Sequence, residues 1–107
     1  MPDPLANAYP DLAHLLGAYL HQDFAVCHGT LEGAVAALGE DDGPEAVAAT
    51  RRDIRRLLLD HPTDTDAALH RVEASHARPP GMEARRFLMW LDGVLARTAP
   101  ARGDAAE

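Results

Sequence analysis

The stretch Tyr9 to Asp23, YPDLAHLLGAYLHQD, constrains the fold of this chain more than any other. Pro10 suits the first turn of a helix, because its missing N–H would be unpaired there in any case. Asp11 follows in that turn, where the helix dipole favours an anion. Leu12, Leu15, Leu16, Tyr19 and Leu20 then recur at the three-and-four spacing of one helical face. At about 100° per residue, His14 and His21 fall on the opposite face. The spacing predicts a helix from Pro10 to Gln22 with one face that must be buried. Gly17 costs about 1 kcal/mol against Ala in a helix interior. Either another backbone packs close to it or the helix tolerates the defect.

Further apolar patterns repeat the same period between Pro and Gly breaks. Residues 1–8 read as a loose leader, with Pro2 and Pro4 opposing helix. Thr30 is an N-cap candidate for a second helix carrying Leu31, Ala34, Val35 and Leu38, and Gly39 is placed to end it. A loop Glu40-Asp41-Asp42-Gly43 follows. Pro44 then opens a third helix that buries Val47, Ile54, Leu57 and Leu58 and stops at His61-Pro62. Thr63-Asp64-Thr65-Asp66 offers N-caps for a fourth helix with Leu69 and Val72 inward. After Pro79-Pro80-Gly81, a last helix from Met82 to Arg97 puts Phe87, Leu91, Val94 and Leu95 on one face. The tail from Thr98 is Ala, Pro, Gly and acid, and is expected to be disordered. No strand of convincing length and no internal repeat is present. The expectation is an all-α single domain over residues 9–97, a compact bundle of about five short helices.

Composition narrows the function classes. A length of 107 residues fits one domain, and 47% apolar residues, many of them Ala, fill one thin core. A single cysteine, Cys27, excludes an internal disulfide framework and fits a reducing cytoplasmic setting. No apolar run is long enough for a membrane span. MPDPLANAYP lacks a basic region followed by an apolar stretch, so no signal peptide is expected. The net charge of −7 is unevenly spread. Residues 1–50 carry eight acids (Asp3, Asp11, Asp23, Glu32, Glu40, Asp41, Asp42 and Glu45) and neither Arg nor Lys. The rest of the chain holds all ten arginines, and there is no lysine. A half-chain without a cation repels nucleic acid and favours a basic partner. An acidic surface that merely keeps a small protein soluble accounts for the composition equally well.

No set of residues makes a convincing catalytic or metal site. His14, His21 and His28 are spaced by seven, about 10.5 Å along a helix, too far for two ligands of one zinc at about 2 Å each. No metal and no cofactor is expected. His21-Gln22-Asp23 has neither a nucleophile nor a phosphate loop beside it, so structural roles at a helix end suit it better than acid–base work. Cys27 reads as a small buried residue. Arg51-Arg52-Asp53-Ile54-Arg55-Arg56 reads as a solvated helix face, or as a partner for the acidic loops, rather than a nucleic-acid patch. Met89 is turned by nearly half a circle from the Phe87/Leu91/Val94 face. It is a candidate for an adaptable contact surface.

The first third also carries a resemblance. Tyr9, Pro10, Leu12, Leu15, Leu16, Gly17, Ala18, Tyr19, His21, Gln22, Asp23 and Phe24, followed by Gly29 and Thr30, resemble a motif of small immunity proteins. These belong to bacterial contact-dependent growth inhibition systems and related polymorphic toxin systems. The last helix, Arg86 to Leu95 with Trp90, is again similar, while the middle matches only as a helical pattern. Family members usually have Trp at the position of Phe24 and a second acid at that of Gly33. The resemblance extends over Tyr9 to Arg97. It implies an all-helical, non-enzymatic cytoplasmic protein that binds and neutralises the C-terminal domain of a cognate toxin, often a nuclease with a basic groove. On that reading Tyr9, Pro10, Leu16, Gly17, Tyr19, His21, Gln22, Asp23, Phe24, Thr30 and Trp90 are structural. Glu40, Asp41, Asp42, Glu45 and Met89 are candidates for the toxin contact. No nucleic-acid or membrane partner is expected. A different class remains open: a helical regulator or scaffold that homodimerises through Met89 and the Arg-flanked helices. A small enzyme or metal sensor using His21 and Asp23 is a third reading.

Overall fold

Pro10, Thr30, Gly43 and Pro44 mark helix boundaries in this chain. The computed structural model describes residues 4–20, 30–74 and 81–98. Its elements are α1 (Pro4–Ala8), α2 (Pro10–His14) continued by a π-helical turn (Leu15–Tyr19), α3 (Leu31–Asp42), α4 (Pro44–Asp60), α5 (Thr65–Val72) and α6 (Ala84–Thr98). Among the described residues there is no strand. The chain is all-α, as its apolar period requires.

Several boundaries differ from the sequence expectation. The expected leader contains a one-turn helix, Pro4–Ala8, whose last carbonyl accepts a hydrogen bond from Arg56. The first long helix widens at Leu15, where Leu20 N–H donates to Leu15 O at 3.0 Å, five residues back. Gly39 does not end α3. That helix runs on to Asp42 and stops at Gly43, whose φ of +89° suits a residue without Cβ. Glu40, Asp41 and Asp42 are therefore the last turn of a helix rather than a loop. Thr30 does cap α3, its Oγ1 accepting from Gly33 N–H at 2.9 Å. No side chain caps α5 from Asp64; Thr65 instead donates its hydroxyl to His61 O at 2.6 Å and closes the end of α4. Gln22, the connection through Phe24 and Cys27, the Pro79-Pro80 break and the tail from residue 99 lie outside the described residues.

The core joins one face from every helix from α2 onward. Leu12, Leu15, Leu16 and Leu20 are fully buried with Val35, Leu38, Ile54, Leu57, Leu69, Phe87, Leu91 and Leu95. Leu58 is only half-buried against this cluster, whereas Leu88 joins it fully. α4 lies at the centre, packed against α2, α3, α5 and α6. It runs antiparallel to α6. A shallow pocket of about 240 Å³, lined by Pro62, Thr63, Glu83, Ala84 and Arg85 among others, sets the end of α4 beside the start of α6. Farther back along α4, Arg51 Nε lies 2.8 Å from Asp92 Oδ1 of α6, and Arg55 Nη2 3.7 Å from Asp92 Oδ2.

Candidate functional site

A polar lock fixes the start of α2. The N-terminus of any helix leaves backbone N–H groups without partners. Here Asp53, buried on α4, accepts from Asp11 N–H at 2.8 Å and Leu12 N–H at 3.1 Å, capping α2 from another helix. Arg56 Nη1 lies 3.0 Å from the other oxygen of Asp53, and the Arg56 guanidinium stacks 5.0 Å from the centre of the Tyr9 ring. Tyr9 is buried and donates its hydroxyl to Asp60 Oδ2 at 2.6 Å. Burial, then the acceptor Asp60 and its charge, push the Tyr9 phenol up to about 12. The unfolded phenol titrates near 10, so the neutral form is favoured by folding. That contribution is complete below about pH 10 and is lost as pH rises through about 12. Melting temperature should therefore fall between those pH values, and Tyr9→Phe should flatten that fall, as a thermal melt against pH would show.

The lock holds α2 so that its far end faces the junction of α3 and α4. There Glu40, Asp41 and Asp42 end α3, Gly43 makes the turn, and Glu45 lies in the first turn of α4; all four acids are exposed. His14 Nε2 lies 2.9 Å from Asp42 Oδ2. The Tyr19 hydroxyl is 3.4 Å from both Asp41 Oδ2 and Asp42 Oδ2, and its ring meets that of His14 edge-on at 5.7 Å. Burial, and the charges of Asp42 and then Asp41, raise the Tyr19 phenol. Glu40, Asp41 and Asp42 sit at the negative end of the α3 dipole, which has no basic residue in its last turn. Arg51 does not relieve them, because it pairs with Asp92.

The remaining candidates are dispersed. Met89 is 57% exposed on α6. It does not join the acids: about 1.5 Å of rise per residue puts the start of α4 roughly 20 Å from its C-terminal turn, which faces the Met89 part of α6. Trp90 is half-buried and stacks on Phe87 with ring centres 6.1 Å apart. Gly17 is approached by a side chain, not a backbone: a Cβ there would stand 2.8 Å from Glu73 Oε2. Leu16 and Tyr19 are buried, and Pro10 opens α2. His21, Gln22, Asp23 and Phe24 lie outside the described residues. Among the described residues no three His, Cys, Asp or Glu side chains gather to hold a metal, and no helix is long and apolar enough to cross a membrane. Asp53 and Asp60 were missed in the sequence as partners of α2, because both lie more than forty residues from it.

The described residues form an all-helical domain with a solvent-facing acidic corner and a buried polar lock at the start of α2. The particular family follows from comparison. Residues 8–95 match the model of the CdiI immunity protein family, and the chain belongs to that family. No curated protein and no solved structure matches the chain. Membership makes toxin neutralisation the general role.

Proposed function

We propose that this protein acts inside the producing cell by binding the C-terminal domain of a cognate contact-dependent inhibition toxin, without turnover of its own. The observation that carries this reading is the family match over residues 8–95, more than four-fifths of the chain. We assign the acidic corner as the first contact with a basic toxin surface such as a nuclease groove. Three features support this. The four carboxylates are exposed, those ending α3 oppose its dipole, and the nearest arginine on α4 is engaged elsewhere. A basic partner relieves that repulsion, and charges of this kind act mainly on association rate.

The test is kinetic. Glu40→Gln, Asp41→Asn, Asp42→Asn and Glu45→Gln together should slow association with the toxin domain encoded beside the gene several-fold at low salt. The loss should shrink as the Debye length falls from about 30 Å at 0.01 M to about 3 Å at 1 M. Stopped-flow or biosensor traces at two salt concentrations read it. An unchanged association rate at low salt would place the contact elsewhere.

A further inference from the structure

Two large hydrophobic side chains stand out from the surface among the described residues: Leu59 at 79% exposure and Met89 at 57%. They lie on α4 and α6, which run antiparallel. Arg51 and Arg55, one turn apart on α4, both reach Asp92 of α6 and set the register. Leu59 is four residues beyond Arg55 on α4, and Met89 is three residues before Asp92 on α6. Antiparallel helices bring both to within about one turn of the same level, past the bridge and on its exposed side. Arginines frame them. Arg52 lies two turns back from Leu59 on its own stripe, and Arg85 and Arg86 lie one turn back from Met89. All three are exposed, and among the described residues none has an acid within ion-pair distance. Arg56 is tied to Asp53 and Ala8 and adds less.

An apolar spot framed by arginines that have no acid partner among the described residues suits an acidic occupant with a small apolar tip; Met and Arg are enriched at such contacts. The molecule presents such an occupant at the other end of α4. There Pro44 is exposed, and in the chain it follows Asp41, Asp42 and Gly43 and precedes Glu45. We infer that the acidic corner of one copy docks head-to-tail on the Leu59/Met89 face of a second copy. Face-to-face pairing of two such patches would set arginine against arginine, so a heterologous contact is favoured over a symmetric one. Self-association and basic-toxin binding would then compete for one corner. The inference itself does not rest on the toxin reading, since its test contains no toxin.

Sedimentation velocity on the full chain, at rising concentration and at low and high salt, provides the test. The parent should self-associate, less so as salt rises. Variant one neutralises Glu40, Asp41, Asp42 and Glu45; variant two carries Leu59→Ser and Met89→Ser. All six positions are exposed, so both should keep the parent's circular dichroism. Each variant alone should associate about tenfold more weakly or worse, as loss of a contact's anchor does. An equimolar mixture should recover a dimer and nothing larger, because the intact patch of variant one meets the intact corner of variant two. Arg85→Glu with Arg86→Glu should behave like variant two. A parent that stays monomeric throughout would overturn the inference. So would a variant one that associates like the parent, or a mixture that recovers nothing.

Discussion

Leu16→Ala is expected to lower the unfolding free energy by about 2–5 kcal/mol, the range for a buried Leu truncated to Ala. Leu16 is fully buried at the centre of the first helix's apolar face, in the turn that packs against α3. It also lies in the π-helical turn, where the backbone is already widened. Full burial and this fixed turn limit how far the site can collapse around the missing methyls. In a domain of about 100 residues each kcal/mol moves the melting temperature by about 4–8 °C. A drop of 10 °C or more is the expected reading by thermal circular dichroism, and a shift of a degree or two would show that this face is not the core.

Asp53→Ala is expected to be comparably damaging, on the order of 3 kcal/mol, although Asp53 is a charged residue in an arginine-rich tract. Its side chain is 4% exposed and accepts from Asp11 N–H and Leu12 N–H. A buried donor that loses its acceptor costs about 1–3 kcal/mol, and two are orphaned here, one of them partly exposed. Arg56 loses its carboxylate as well, but it is half-exposed and water replaces part of that interaction. Asp53→Asn separates charge from geometry. An amide oxygen can still accept from one or both N–H groups, so Asn should fall between the parent and Ala. Denaturant unfolding of the two variants reads the order, and an Ala variant as stable as the parent would remove Asp53 from the lock.

These two residues show what sequence conveys and what it withholds. Leu16 was legible because a helical face is local information: its partners in the pattern lie three and four residues away. The same holds for Pro10, Pro44 and Thr30, whose roles depend on their own backbone. Asp53 was not legible. Among four arginines it reads as part of a solvated face, and only the approach of α2, more than forty residues distant, makes it a buried cap. Gly39 misled for a related reason. Gly is a stop signal, yet tertiary contacts carry α3 one turn further to Gly43, where φ is positive. The acidic corner was half-legible. Its composition was plain, but its position at the end of a helix and its contacts with His14 and Tyr19 come from folding. Met89 is exposed, as its turn from the Phe87/Leu91/Val94 face predicts, and Leu59, off the Ile54/Leu57/Leu58 face at the same spacing, is exposed as well; that the two lie near each other comes only from the packing of α4 on α6.

For this member of the CdiI immunity family we propose neutralisation of a toxin by direct contact. Isothermal titration of the purified full chain with the C-terminal domain of the toxin encoded beside it tests that claim most directly, with toxin activity measured in the same mixtures. Saturable, stoichiometric heat is expected, with toxin activity lost at the equivalence point. No heat, and a toxin fully active in excess of this protein, would contradict it.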